Sequence, residues 1–289
     1  MKYGIYYAYW EKEWGGDVLP YIQKVSQLGF DILEVACGDF DKQPLSYFTQ
    51  LREESEKHHI VLTGGYGPRP EHNLASKDNE MVRRTFNFYE DVFKKMEVAG
   101  IRSIGGALYS YWPVDYTGEL DKEGDFKRST KRMRELADLA AKYDITLLME
   151  SLNRFEGYLI NDAKEALNYV QEVGKNNVKV MLDTFHMNIE EDDICQAIRS
   201  AGQYLGELHI GEANRRPPRN GRIDWDAIGA VLRELDYIGN VVMEPFVSMG
   251  GQVGKDIRIW RNIVEDDSIN QLDEDVKASL AYIKESFEE

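Results

Sequence analysis

Short apolar runs and longer amphipathic stretches alternate along the whole chain. The apolar runs predict β-strands at residues 4–10, 31–36, 60–66, 103–108, 145–151, 178–183, 205–211 and 240–245. The stretches between them place apolar residues at helical spacing, and several end at a glycine typical of a helix C-cap, as at Gly29, Gly100 and Gly174. Near-continuous apolar strands separated by helices predict a parallel sheet covered by helices.

Eight strand–helix units predict a closed (β/α)8 TIM barrel, and a chain of 289 residues has the length of one such domain, spanning 1–289. An open doubly wound sheet is the alternative, but the glycine-rich phosphate fingerprint is missing after the first strand. The irregular segments 109–124 and 212–223 each follow a strand, so we expect both at the mouth of the barrel. Residues of about 269–289 are amphipathic and predict an appended C-terminal helix on the barrel exterior.

The charge of the chain limits its partners. It has 51 acidic and 35 basic residues, a formal net charge of -16, which disfavours binding to nucleic acid or to an anionic membrane. The N-terminal sequence MKYGIYYAYW lacks the features of a signal peptide, and no apolar run is long enough to span a bilayer. Cys37 and Cys195 show no paired spacing. These features predict a soluble cytoplasmic protein with free thiols.

Strands five to eight each end in a side chain that can bind a metal ion, namely Glu150, Asp183, His209 and Glu244. The carboxyl ends of barrel strands meet at one mouth, and successive gaps of 33, 26 and 35 residues fit one strand–helix unit each. Three carboxylates so close would repel unless a cation neutralised them. Any one of the four alone could cap a helix or pair with an arginine, but four in register predict a divalent metal site.

The chemistry of these side chains narrows the choice of ion. Three carboxylates and one imidazole suit Mn²⁺, Co²⁺ or Mg²⁺ better than an ion that prefers thiolates, and neither cysteine lies at a strand end near the site. We expect Mn²⁺.

Long motifs stand at 107–116 (ALYSYWPVDY), 152–161 (LNRFEGYLIN) and 178–192 (VKVMLDTFHMNIEED), followed by VVMEPF and MGG. These motifs resemble the D-tagatose/D-psicose (D-allulose) 3-epimerase family over nearly the whole chain. The resemblance implies a (β/α)8 barrel, a bound Mn²⁺ or Co²⁺ ion, and a free ketohexose as substrate. It also implies that the four residues named above are the metal ligands, and that Glu150 and Glu244 double as the catalytic acid/base pair.

The chemistry of epimerisation agrees with that assignment. The proton at C3 must leave from one face of the sugar and return to the other, through an enediolate whose negative charge needs an adjacent cation. Glu150 on strand five and Glu244 on strand eight can approach the reacting carbon from different directions. Asp183 and His209 are expected to act only as ligands. The resemblance implies that the sugars interconverted are D-fructose and D-psicose.

The resemblance also implies contacts to the substrate. Glu156 and His186 are expected at the C1–C2 end of the sugar; the alternative is that they pair with each other, or Glu156 with Arg154, and only order the rim. Arg215 is expected to donate hydrogen bonds to sugar oxygens, with the adjacent Arg216 as its rival.

Two aromatic residues, Tyr6 and Trp112, are expected to line the sugar site, although such residues more often pack in a core. Trp112 is the stronger of the two candidates because sugars stack their C–H faces on indole rings. Glycines that leave room near the mouth, or form bulges in the barrel, occur at Gly65, Gly67, Gly105 and Gly106.

The segment MGGQVG (249–254) resembles a phosphate-binding loop after strand eight, which would suit a sugar-phosphate epimerase. The family resemblance implies an unphosphorylated sugar instead. Ser248 stands where we expect relatives to have a basic residue. The remaining histidines, His58, His59 and His72, lie outside strand ends and are expected at the surface.

Other functions remain open as alternatives. An aldose–ketose isomerase on the same barrel would produce an aldose, and a sugar-phosphate 3-epimerase would need the phosphate site. Only 5 histidines and the acidic charge disfavour a zinc-cluster endonuclease. A non-catalytic sugar-binding barrel is disfavoured because all four ligands are present. We expect a homo-oligomer, either a dimer or a tetramer.

Overall fold

A computed structural model describes residues 1–288. Eight parallel strands close into a barrel in chain order, with β8 paired to β1. The strands are β1 (Lys2–Tyr6), β2 (Ile32–Ala36), β3 (Val61–Gly65), β4 (Ser103–Gly106), β5 (Thr146–Glu150), β6 (Val178–Asp183), β7 (Leu205–Ile210) and β8 (Asn240–Met243). The predicted (β/α)8 barrel is confirmed.

Helices follow the strands and surround the barrel. They are α1 (Leu19–Leu28), α2 (Leu45–His58), α3 (Asn79–Ala99), α4 (Lys122–Ala141), α5 (Ala163–Val173), α6 (Thr184–Glu190), α7 (Ile194–Ala201), α8 (Trp225–Glu234), α9 (Gly251–Asp256) and α10 (Ile269–Glu288). The glycines predicted as C-caps follow α1, α3 and α5 with φ of 90°, 77° and 66°, a left-handed conformation that glycine adopts without steric cost. None of the described helices is long and apolar enough to cross a membrane.

The strands are buried because both of their faces are covered. Residues such as Ile5, Leu33, Ile104, Leu147 and Val180 are inaccessible to solvent, since side chains fill the barrel on one face and helices pack on the other. This arrangement explains the near-continuous apolar runs in the sequence. Both cysteines are free, as predicted.

The predicted first strand was wrong for residues 7–10. The strand ends at Tyr6, and Tyr7–Trp10 form a 3-10 helix whose four residues are all buried. The apolar run continues because this turn packs into the core, so hydrophobicity alone does not mark the end of the strand. Several other strands are one or two residues shorter than predicted, and β8 ends at Met243, directly before Glu244.

The predicted C-terminal helix is confirmed as α10, which packs on the barrel exterior against α8 and α1. It buries Leu272, Val276, Ile283 and Phe287. The approach to α8 is close, because a Cβ atom on Gly229 would lie 2.3 Å from the Ser286 carbonyl oxygen. The final residue of the prediction, position 289, lies outside the described residues.

Candidate active site

The four predicted metal ligands meet at the carboxyl end of the barrel. Glu150 and Asp183 are the last residues of β5 and β6, His209 is the penultimate residue of β7, and Glu244 directly follows β8. One ligand atom from each of these residues lies within 4.8 Å of the other three. Glu150, Asp183 and His209 are buried and Glu244 is partly exposed, so the group lies at the base of an opening rather than on the surface.

This group has the composition and geometry of a divalent metal site. Both ring nitrogens of His209 are buried and have no hydrogen-bond partner among residues 1–288, and Nδ1 lies 3.8 Å from Oε2 of Glu244. Buried polar atoms normally have a partner, so an imidazole nitrogen left facing carboxylates fits a metal ligand. Three carboxylate donors and one imidazole suit Mn²⁺, Co²⁺ or Mg²⁺.

The protein's own charges only partly balance the three carboxylates. Nη1 of Arg215 lies 2.8 Å from both Asp183 Oδ2 and Glu244 Oε2. Burial would raise the pKa of Glu244, but the adjacent positive charge of Arg215 is the largest opposing effect, and the pKa is lowered to about 2. Burial raises the pKa of Asp183 to about 6, and burial together with the charge of Glu244 raises the pKa of Glu150 well above its usual value. Additional positive charge would let all three carboxylates ionise together.

The other nitrogen of His209 points into the barrel, towards two buried glutamates. Nε2 lies 3.2 Å from Oε1 of Glu34 on β2 and 3.5 Å from Oε1 of Glu207 on β7. Thr63 donates a hydrogen bond to Glu34, and Asn240 donates one to Glu207. Carboxylates in this position favour a proton on Nε2 and leave Nδ1 free to bind a metal.

Sequence reasoning missed Glu34 and Glu207. A glutamate in the interior of an apolar strand, as in DILEVA and LGELHIG, is the signal that could have revealed them. Glutamate is rarely fully buried unless it is paired, so such a position indicates an internal polar contact.

A cavity of about 330 Å³ opens above the four ligands. Every predicted site residue lines this cavity except Asp183, which is buried and does not reach the cavity surface. His186, in α6, places Nε2 at 3.8 Å from both Glu150 Oε1 and Asp183 Oδ2. Glu156 is half-buried on the cavity wall. The structure therefore brings the predicted ligands and the predicted sugar contacts into one site.

The structure distinguishes Arg215 from its neighbour Arg216. Arg215 is only 3% exposed, and its guanidinium carbon lies 3.8 Å from the centre of the Phe185 ring. Its backbone has φ of 64°, a left-handed conformation that non-glycine residues seldom adopt and that points to a functional constraint. Arg216 is exposed and binds the Ile263 carbonyl oxygen, so only Arg215 reaches the cavity.

One wall of the cavity consists of aromatic rings. Tyr6 and Trp112 line the cavity as predicted, together with Trp14 and Tyr66, which sequence reasoning missed. Trp14 makes edge contacts with Trp112 and Phe246, so residues of three different loops form one apolar wall. The aromatic-rich segment YYAYWEKEW was a usable signal for Trp14.

The cavity is lined by the four glycines expected either to leave room near the mouth or to form bulges, Gly65, Gly67, Gly105 and Gly106. Gly106 has φ of 119°, and a Cβ atom there would lie 2.4 Å from the Tyr66 carbonyl oxygen. The glycine at this position therefore allows the backbone to pass close to the segment after β3.

The prediction of a surface position was wrong for His72. Its ring is half-buried and stacks on Phe88 at 3.9 Å between centres, and its Nδ1 lies 2.6 Å from the Tyr66 hydroxyl. The loop after β3 folds back over α3, which the sequence pattern did not indicate. His58 is half-buried and His59 is exposed.

The segment 249–254 does not present a free helix N-terminus. Helix α9 has six residues, and the backbone N–H of Val253 donates to the Lys12 carbonyl oxygen at 3.0 Å. Gly251 lies so close to this oxygen that a Cβ atom would be 1.9 Å from it. The Lys12 carbonyl oxygen, in the loop after β1, therefore already accepts one of the N–H groups that a bound phosphate would use. Ser248 is half-buried next to this segment.

Comparisons with known proteins agree with this architecture. Residues 22–263 match the model of the xylose isomerase-like TIM barrel family. A D-psicose 3-epimerase of Enterocloster bolteae is 48% identical over 99% of this chain and 96% of its own length.

Two solved structures are similar over 99% of both chains, each with a TM-score of 0.98. One is D-psicose 3-epimerase from Clostridium cellulolyticum H10 with D-tagatose, at 49% identity. The other is D-psicose 3-epimerase in the presence of D-fructose, at 46% identity. The chain belongs to the xylose isomerase-like TIM barrel family and, within it, to the D-psicose 3-epimerases.

Proposed function

We propose that this protein is a metal-dependent ketose 3-epimerase that interconverts free ketohexoses, D-fructose and D-psicose, at C3. The proposal rests on one observation: Glu150 and Glu244 converge with Asp183 and His209 at the base of a cavity of about 330 Å³. Small-molecule sites usually start at about this volume, which suits a monosaccharide.

Glu150, Asp183, His209 and Glu244 would hold the ion, which we propose to be Mn²⁺. When bound, such an ion supplies positive charge that stabilises the negative charge of an enediolate. The carboxylates of Glu34 and Glu207 lie beside Nε2 of His209, so the other ring nitrogen, Nδ1, faces the other three ligands. The donor set suits Co²⁺ and Mg²⁺ as alternatives.

The two glutamates perform the proton transfers. Glu150 enters the site from β5 and Glu244 from the end of β8, so the two carboxylates reach the sugar from different sides. One carboxylate removes the C3 proton from one face, and the other donates a proton to the opposite face of the enediolate. Reversing these roles gives the reaction in the other direction. Each positioned acid or base typically contributes about 10²–10⁴-fold to the rate.

Arg215, His186 and Glu156 bind the sugar beside the two bases. The guanidinium of Arg215 is held against the Phe185 ring, so it stays fixed while its N–H groups donate to sugar oxygens. The aromatic wall of Tyr6, Trp14 and Trp112 packs against the apolar face of the sugar and excludes water.

Two features favour an unphosphorylated substrate. The N-terminus of α9 is covered by the loop after β1, as described above. Arg69, a cation in the cavity lining, already pairs with Asp39. The expected cytoplasmic location and homo-oligomeric state stay predictions from the sequence.

The test is to incubate the protein with D-fructose and Mn²⁺ and to separate all products. We expect D-psicose and no aldose. An aldose as the main product would replace the epimerase with an aldose–ketose isomerase. A parallel reaction with fructose 6-phosphate should give a lower kcat/KM; a higher value would mean that segment 249–254 binds phosphate after all.

A further inference from the structure

Asn153, a buried residue three positions after β5, contacts two of the residues proposed to bind the sugar. Its amide nitrogen Nδ2 lies 2.8 Å from Nδ1 of His186 and 3.1 Å from Oε1 of Glu156. The amide is 1% exposed, so both contacts are shielded from water. None of the predictions from sequence included this residue.

The orientation of this amide is determined by its other contact. Oδ1 of Asn153 accepts a hydrogen bond from the backbone N–H of Phe155 at 2.9 Å. A backbone N–H can only donate, so the oxygen must lie on that side and the NH₂ group must face His186 and Glu156. A flipped amide would place its NH₂ group against the Phe155 N–H.

The protonation pattern of His186 follows from the same reasoning. Its Nδ1 also accepts from the backbone N–H of Asn153 at 3.1 Å. Two donors therefore point at Nδ1, which must be the unprotonated nitrogen, and the proton of the neutral ring lies on Nε2. Nε2 is the nitrogen near Glu150 and Asp183. Nη2 of Arg215 also lies 3.4 Å from Nε2, but this contact is longer than the two that place donors at Nδ1, 2.8 and 3.1 Å.

We propose that Asn153 is a positioning residue that fixes His186 as the Nε2–H tautomer, so that His186 donates a hydrogen bond to a sugar oxygen and cannot act as a base. The same NH₂ group holds Glu156 beside His186. Only the identity of the ligand rests on the proposed function. A fixed N–H directed at an oxygen that gains negative charge in the enediolate stabilises that charge without reorganisation.

Nuclear magnetic resonance tests the tautomer directly. The protein, loaded with diamagnetic Mg²⁺ and ¹⁵N-labelled at histidine, contains 5 histidines, and the His186→Gln variant identifies the signals of His186. Long-range ¹H–¹⁵N correlation should show a protonated Nε2 and an unprotonated Nδ1 at this residue. A protonated Nδ1 would overturn the proposal. This result does not depend on epimerase activity, so it can fail or succeed independently of the proposed function.

Substitution of Asn153 tests the consequence for the reaction. Asn153→Ala leaves the backbone donor in place, so we expect a fall of about 10-fold in kcat/KM; Asn153→Asp puts an acceptor against Nδ1 and Glu156, so we expect about 100-fold. The aspartate variant should also move the His186 spectrum towards a protonated Nδ1. If aspartate is tolerated as well as alanine, the NH₂ group is not a required donor and the proposal is wrong.

Asn161 provides a matched control in the same loop. Its side-chain NH₂ group donates to the carbonyl oxygens of Leu152 and Gly157, but it contacts neither His186 nor Glu156. Asn161→Ala should therefore loosen the loop while leaving the His186 tautomer unchanged, and should reduce kcat/KM less than Asn153→Ala does. Equal losses of kcat/KM in both variants, with unchanged His186 signals, would mean that Asn153 only stabilises the loop.

Discussion

The two halves of the barrel mouth have different compositions. The ends of β5 to β8 supply the four candidate ligands, each from a different strand, and the segments that follow supply His186 and Arg215. The corresponding ends of β1 to β4 supply mainly aromatic residues and glycines, such as Tyr6, Gly65, Gly106 and Trp112.

The ends of β5 to β8 therefore carry most of the buried charge of the site, and the ends of β1 to β4 mainly determine the shape of the cavity. Buried carboxylates and a buried guanidinium are costly to desolvate, and they lie together because each reduces the cost of the others. The ends of β1 to β4 form the shape half, where aromatic residues and glycines line the cavity and the charged pair of Arg69 and Asp39 is partly exposed. We therefore expect substitutions at the ends of β5 to β8, which form the ligand half, to act mainly on kcat. Substitutions in the shape half should act on KM or on stability.

Removal of the metal should have the largest effect. Because three carboxylates converge with His209, a chelated protein should lose turnover, and Mn²⁺ or Co²⁺ should restore it. The chelated protein should also melt at a lower temperature, since ligand binding to the native state adds stability. Activity assays and thermal melts, with the metal content measured, check both effects. Full activity in metal-free protein would show that the four candidate ligands do not act through a bound metal ion.

Glu150→Gln and Glu244→Gln come next. Each variant keeps the shape and one ligating oxygen but cannot accept a proton, so net epimerisation should fall by about 10²–10⁴-fold while ketose still binds. Metal content must be measured in both variants, because these residues are also candidate ligands. A fully metallated variant that epimerises at nearly the wild-type rate would make that glutamate a ligand only.

Deuterium labelling sharpens the same test. Turnover of the wild-type protein in D₂O should place deuterium at C3 of the product. Each glutamine variant should exchange the C3 proton of a different epimer without inverting it. Product without label would instead indicate a shielded proton or hydride transfer.

Gly106→Ala should perturb the shape half through the backbone. A side chain at φ of 119° is strained, and its Cβ atom would meet the Tyr66 carbonyl oxygen at 2.4 Å, so we expect destabilisation of about 1–3 kcal/mol. Denaturant unfolding measures this loss. The matched control is Gly118→Ala, since Gly118 has no positive φ and no atom within 4 Å of the added Cβ. Equal stability of the two variants would contradict the assigned strain.

Trp112→Leu should have the smallest effect. The indole packs on the sugar without taking part in proton transfer, so we expect KM to rise about 10-fold with a smaller change in kcat. Steady-state kinetics with D-fructose measure both. Trp260→Leu, at a position 71% exposed, is the control and should leave both unchanged. A fall in kcat at constant KM would place Trp112 with the ligand half.

Some residues of the candidate site could be predicted from the sequence and others could not. Glu150, Asp183, His209 and Glu244 could be selected from the sequence because each ends an apolar run, and parallel strands bring their ends together regardless of how the loops fold. Glu34 on β2 and Glu207 on β7 lie in the interior of apolar strands, and a search for such internal glutamates could have found them. His72 could not, because its burial depends on a loop that folds over α3.

The sequence by itself determined the eight strands, the closed barrel and the group of candidate ligands, since apolar periodicity is local and strand order follows the chain. Tertiary structure alone decided which of the two adjacent arginines enters the cavity, which nitrogen of His209 faces Glu244, and how Asn153 holds His186. These outcomes depend on backbone angles in loops and on contacts between segments distant in sequence. Neither leaves a periodic signal in the order of the amino acids.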